Sequence, residues 1–360
     1  MKIGMMCAWN TDSGVAVHAE PIGKAWLEMG HELTVLTFTK DDYHGEGITG
    51  EDEKFVIRCF GTEFRTKYLD PIPFITGEYE IFIIQDIGVL PKEPLSKIFH
   101  LIKKKAPVIH IVHENILSKD PAFYWFDWDA VVYFDKRQEF LKKVYHNTYF
   151  IPFPCFPVRN VDKTAARKKL DLPEEKKIVL FFGQRGYTPY LPTRDHELKD
   201  VLFLILGPKK MDILEKFSPD PDIILREEKV LTKEKFDLYF AACDAVVLHK
   251  FQSKYEAVVS STAFQALGLG TPLFVPRHSD FFHPFTTEVV KYRDREELKN
   301  NLLELLNDQQ KQKKIKDAAL SFAEKYSGEN IAYEYIKLFE RLIEFRHKKI
   351  NRQIEYDTAY

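Results

Sequence analysis

Cysteine is scarce in this chain: Cys7, Cys59, Cys155 and Cys243 are the only four among 360 residues. They form no Cys-x-x-Cys pair and no Cys/His set at zinc spacing, which excludes a disulfide framework or zinc site as the organising device. Cys7 and Cys243 lie in or beside apolar runs and read as small core residues in a reducing compartment. Net charge is also nearly absent, at −2 from 52 basic and 54 acidic residues, so no global field draws nucleic acid. The basic clusters Lys103-Lys104-Lys105 and Arg346-His347-Lys348-Lys349 sit beside amphipathic helical patterns and read as solvated helix faces. No apolar stretch approaches the ~18 residues that would span a bilayer. The opening MKIGMMCAWN lacks a long apolar region and a small-residue cleavage site, so a cytoplasmic protein is expected.

What is present is the material of a globular protein, 45% hydrophobic and 29% charged, with Phe at 29 residues. A chain of this length exceeds one ordinary core and predicts two domains of roughly 150 residues each. Strand-like and helix-like segments alternate. Residues 2–7 form a short apolar run, 15–29 show helical spacing closed by Gly30, and ELTVLTF (32–38) is rich in β-branched residues. That is a β-α-β unit and predicts a parallel sheet. Further strands are expected at 55–60, 81–85, 108–112, 130–134 and 148–151, with helices at 94–105 and 136–145.

The run IPFPCFPV (151–158), with Pro152, Pro154 and Pro157, continues neither helix nor strand and marks a boundary. The alternation then restarts. A short helix is expected at 164–170, strands at 177–182, 201–206, 223–225, 245–249 and 271–275, and helices at 211–217, 233–242, 261–269, 296–306 and 312–325. A long amphipathic helix at 331–345 precedes a polar tail expected to fray. The predicted domains are 1–155 and 156–330, followed by a terminal helix and tail at 331–360. Both are α/β, doubly wound and Rossmann-like, a class that binds ligands at the carboxyl ends of strands near the switch point. For two facing domains, that point becomes a shared cleft.

Several landmarks resemble the retaining GT-B glycosyltransferases of family 4, and the likeness runs from Met1 to about Phe345. Lys2-Ile3-Gly4, Asp12-Ser13-Gly14-Val15 and Gly30-His31-Glu32-Leu33-Thr34-Val35 are similar to the family's first β-loop-α-β. Gly14 there permits close approach of backbone to ligand and a positive φ, or simply makes a plain turn. Val112-His113-Glu114 resembles the strand end whose His faces the transferred sugar. His113 would donate to a sugar hydroxyl or contact the reacting centre, the alternative being a core histidine. His110 reads as core.

Phe182-Gly183-Gln184-Arg185-Gly186 resembles the strand that ends in Gly-Arg and contacts donor phosphates, with Arg185 one residue late and the usual Lys missing. A guanidinium suits a diphosphate because its fork meets two oxygens. A solvated surface Arg is the plain alternative.

Ala242-Cys243-Asp244 through Glu256, Gln265 and Gly270-Thr271-Pro272 resembles the family's block carrying a pair of glutamates at fixed spacing. Gln265 stands at the second glutamate, where the resemblance implies a ribose contact, and Glu256 is one residue from the first. Ser260, Ser261 and Thr262 open a helix, either as a phosphate site or as ordinary N-capping. The aromatic stretch DPAFYWFDWD (120–129) reads as core packing under a loop or as a sugar platform.

The resemblance implies hexose transfer with retention from a nucleotide-diphosphate sugar to a carbohydrate, lipid-linked or small-molecule acceptor. No cofactor or metal is implied, nor a nucleic-acid partner, and peripheral membrane contact is compatible. Arg185 and the helix start would offset leaving-group charge, and domain closure would exclude water. The alternative is a nucleotide-sugar-binding or scaffold protein of the same fold without turnover, motivated by the altered glutamates and missing Lys. A sugar-nucleotide epimerase is disfavoured, because no acidic pair and His set stands at matching positions.

Overall fold

The computed structural model describes residues 1–43, 45, 47–183, 196–207, 222–228, 230–250 and 257–358. The expected helix at 211–217 lies outside them. The chain divides into two compact units, Met1–Pro154 with Gly328–Tyr360, and Cys155–Ser327.

In the first unit, strands β1 (Lys2–Met6), β2 (Glu32–Phe38), β3 (Val56–Phe60), β4 (Ile81–Gln85), β5 (Val108–Ile111), β6 (Ala130–Tyr133) and β7 (Thr148–Phe150) form one sheet. Its order is β3-β2-β1-β4-β5-β6-β7, with every pairing parallel. Near-continuous burial of β4 and β5 follows from their apolar sequences, as sheets covered on both faces require. The order reverses between β1 and β4, which places the topological switch point there.

Helix α1 (Gly14–Glu28) links β1 to β2, and its N-cap Ser13 accepts from Ala16 N–H. The short α2 (Ile72–Thr76), which the sequence pattern does not announce, is opened by Pro71 and Pro73. Helix α3 (Lys92–Lys105) carries three lysines in its last turn, where they complement the helix dipole. The helix expected at 136–145 is a 3₁₀ helix over Lys136–Lys143, held by an Asp135–Gln138 capping box.

The second unit repeats the plan. Helix α4 (Lys163–Lys169) precedes β8 (Lys177–Phe182), β9 (Val201–Gly207), β10 (Ile223–Glu227), α5 (Lys233–Ala242) and β11 (Ala245–Val247). Then follow α6 (Ser261–Ala266), β12 (Leu273–Pro276), β13 (Val290–Tyr292), α7 (Arg295–Asn307) and α8 (Gln309–Lys325). The parallel order is β10-β9-β8-β11-β12-β13, with its switch point between β8 and β11. Buried Arg167 on α4 ties the amino ends of those strands together. It donates to Asp244 Oδ2 at 2.9 Å and Ala242 O at 2.9 Å, while Asp244 Oδ2 also accepts Ile178 N–H at 2.7 Å. Asp244, part of the family-like block, is thus a structural anchor.

Helix α9 (Gly328–Thr358) crosses back to the first unit. Buried Ile331, Ala332, Tyr335, Leu338 and Phe339 form its docking face, and Trp26 on α1 donates Nε1–H to Ala332 O at 3.1 Å. It extends past residue 345 because no Gly or Pro follows Gly328, so polar side chains alone do not end it. The tail expected to fray is helical as far as Thr358. All four cysteines are buried and free, and among the described residues no helix is long and apolar enough to cross a membrane.

Gly328 is required where α9 starts: a Cβ there would stand 2.8 Å from Pro21 O of α1. Gly328→Ala should therefore cost about 1–3 kcal/mol, as overpacking against backbone does. Denaturant unfolding measures this, and an unchanged midpoint would show that the approach is looser.

Candidate active site

Three polar side chains meet at the carboxyl ends of β4 and β5, beside the first unit's switch point. Gln85 is the last residue of β4, in register with Ile111 of β5. Its Oε1 accepts from His18 Nδ1 at 3.0 Å and from His113 Nε2 at 3.1 Å. Its Nε2 donates to Met5 Sδ of β1 at 3.1 Å. His18 comes from α1, one turn after Gly14, and is fully buried. The two imidazoles meet edge to face at 5.2 Å, and Phe134 packs on both, at 5.6 Å from His18 and 5.1 Å from His113.

Burial lowers the His18 pKa to about 3, the hydrogen bond to Gln85 opposing that shift. The ring is therefore neutral near pH 7. His113 is half-buried and lies beyond β5, which ends at Ile111. Its orientation is set from outside the strand. Gln138 Nε2 donates to Val112 O at 3.3 Å and Glu114 O at 3.1 Å, while Gln138 Oε1 accepts Phe134 and Asp135 N–H. One buried amide thus clamps the segment carrying His113 to the end of β6. Glu114 beside it accepts Gly88 N–H at 3.0 Å, and burial followed by the nearby Asp86 charge holds its carboxyl well above the usual range.

His110, by contrast, is a core residue stacked on Trp128 at 4.7 Å, and burial lowers its pKa to about 3. In the aromatic stretch, Phe126 and Trp128 are buried while Trp125 is exposed.

Gly14 is the exposed first residue of α1, and its φ is not positive, as in a plain turn. The left-handed residue of that loop is Asn10, with φ 52°. Its conformation is held by Glu20 Oε1, which accepts Asn10 N–H at 3.1 Å, and by the Asn10 side chain donating to Glu53 Oε2 at 3.0 Å.

In the second unit, Gly183 follows β8 directly. Ser260 is the fully buried N-cap of α6: its Oγ accepts Ala263 N–H at 3.4 Å, and its own N–H donates to Phe281 O. Thr262 is buried as well. Ser261 and Gln265, four residues apart, share the partly exposed face of α6, so the structure brings this pair together. The Gln265 carbonyl accepts Arg159 Nη2–H at 2.9 Å, and Arg159 pairs with Asp237 on α5, which fixes the helix. Arg185 and Glu256 lie outside the described residues. Among the described residues, no three His, Cys, Asp or Glu side chains are grouped to hold a metal ion.

Each unit is a parallel sheet in the 3-2-1-4-5-6 order of dinucleotide-binding folds, one strand longer in the first. Two such units stand in one chain. The fold is GT-B.

Solved structures of the same architecture bear this out. Sucrose-phosphate synthase from Thermosynechococcus elongatus matches with TM-score 0.65 at 14% identity, covering 96% of this chain and 99% of that one. Anabaena HepE, solved with UDP-glucose, gives 0.64 at 13%, covering 95% and 100%. An α-glucosyltransferase solved with UDP and a mismatched DNA 13-mer gives 0.65 at 13%, covering 95% and 99%. At such identities the likeness is one of fold. No known family model matches the sequence.

Sequence reasoning missed His18, Gln85 and Gln138. Gln85 had a signal, a lone polar residue closing the apolar run IFIIQ.

The neutral burial of His18 has a thermodynamic signature. Its folded pKa lies below the ordinary histidine value of 6.5, so from about pH 6.5 down to about 3 the unfolded chain binds a proton that the folded one refuses. Stability should fall across that window by up to about 1.4 kcal/mol per pH unit from this residue. Unfolding measured against pH should show a shallower slope in His18→Phe; an identical slope would mean that His18 titrates normally.

Proposed function

We propose that this chain is a glycosyltransferase that moves a hexose from a nucleotide-diphosphate sugar to an acceptor with retention of configuration. The observation that carries the reading is His113, a half-buried imidazole fixed at the carboxyl end of β5, beside the switch point of a GT-B first unit. In such sheets that position is where ligands are met. Relatives in fold carry UDP or UDP-glucose, which supports a sugar nucleotide as donor.

In this reading, the second unit holds the donor. Gly183 and Arg185 follow β8, where a guanidinium matches two phosphate oxygens. Ser261 stands at the partly exposed start of α6, with Ser260 and Thr262 shaping that turn and Gln265 turned to the ribose hydroxyls from the same face. Glu256 precedes this helix, and Gly14 opens α1 in the first unit. His113 contacts the donor sugar or the reacting centre. The acceptor is a carbohydrate, a lipid-linked sugar or a small molecule, and the compartment is the cytoplasm. No step calls for a cofactor or metal, since helix dipole and Arg counter the leaving diphosphate.

Gln265 in the place of a carboxylate favours one second reading, a protein that binds nucleotide sugars without turning them over. Binding itself is tested by thermal shift with UDP, GDP and ADP. One nucleotide should stabilise selectively, by about 2.7 kcal/mol at a hundredfold excess over Kd. Gln265→Glu should tighten that nucleotide roughly fivefold, because a charged acceptor strengthens a hydrogen bond by about 1 kcal/mol. Equal indifference to all three would sink both readings, and unchanged affinity in Gln265→Glu would remove Gln265 from the ribose site.

A further inference from the structure

Gln85 leaves His113 little freedom in where it carries its proton. Its carbonyl oxygen lies 3.0 Å from His18 Nδ1 and 3.1 Å from His113 Nε2, and an oxygen there accepts from N–H in both rings. The reverse placement of the amide would turn Oε1 toward the thioether of Met5, which has no proton to give. It would also force the His18 proton onto Nε2, a buried atom with no hydrogen-bond partner, and an orphaned N–H is the rarer and costlier defect. The observed arrangement satisfies both amide ends and leaves only a lone pair at His18 Nε2. His18 itself cannot drift, since α1 is docked on α9 and the ring packs against Phe134, Phe153 and Tyr335.

We infer that His18 and Gln85 are positioning residues that fix His113 in its Nε2–H tautomer, which leaves Nδ1 able only to accept a hydrogen bond. This rests on the proposed role of His113 and reverses the direction expected from sequence, in which the ring donates to a sugar hydroxyl. A neutral imidazole has one ring proton, and Gln85 takes it. A substrate hydroxyl reaching His113 therefore gives its own hydrogen to the ring. A ligand with no hydroxyl at that point, such as a deoxy or fluoro sugar, is discriminated against, because it has no hydrogen to give the ring.

The test is long-range ¹H–¹⁵N correlation of the histidine rings in the full chain, with His113 assigned from His113→Asn. The wild type should show His113 protonated at Nε2. Gln85→Met, close in volume but only a weak acceptor, should give a tautomer mixture, as should His18→Phe. Gln85→Glu should restore the single tautomer, a rescue that packing alone does not predict. Protonation of His113 at Nδ1 in the wild type would overturn the inference, as would a His113 signal unmoved by both Gln85→Met and His18→Phe. Release of hexose from a sugar nucleotide supplies the second readout. Gln85→Met should lower kcat about tenfold or more with donor KM unchanged, and Gln85→Glu should recover it. A wild type without turnover would remove the proposed function, yet the ring spectra would still decide the tautomer.

Discussion

A single carbonyl oxygen, Oε1 of Gln85, sets the geometry of the first unit's candidate site. It takes a hydrogen bond from each of two imidazoles, so His18 on α1, the end of β4 and the segment after β5 must all keep register with one another. That register is secured by parallel pairing. Ile84 lies opposite Met6 of β1 and Gln85 opposite Ile111 of β5, which brings the amide between the two strands at the switch point. A slip of one residue would turn Gln85 to the other face of the sheet. The Gln138 clamp does for the segment at His113 what strand pairing does for Gln85, and does it where the strand has already ended.

The second unit is held by a comparable device at its other edge. Arg167 and Asp244 secure the amino ends of β8 and β11, and Arg159 with Asp237 secures α6. These polar anchors are placed away from the carboxyl ends, where doubly wound folds meet their ligands. α6 divides accordingly: Ser260 and Thr262 belong to the interior, and Ser261 with Gln265 to the partly exposed face.

Much of this fold can be read from the residues. The strands at Ile81–Gln85 and Lys177–Phe182 and the helix at Lys233–Ala242 have the bounds that their apolar runs and caps predict. What escapes sequence reading has physical reasons. α2 and β13 are too short for a period to show, and α9 outruns its hydrophobic stripe because nothing breaks it. His113 is visible as a polar residue at the close of an apolar strand. His18 is not, since its partner is 67 residues away and a buried helix face looks the same whether it carries a core ring or a working one. Gly14 shows that permission is not use: glycine permits a left-handed turn, yet in this loop Asn10 adopts it, with carboxylates holding its amides.

The GT-B fold narrows the chemistry without naming it, because one fold serves several reactions. The most direct measurement of the central claim is release of free hexose from UDP- and GDP-hexoses by the wild-type chain and by His113→Ala, at saturating donor. The account predicts slow hydrolysis of one donor by the wild type and at least about a tenfold loss on removing the imidazole. Donor binding with no hydrolysis or transfer in the wild type, or hydrolysis indifferent to His113, would contradict it.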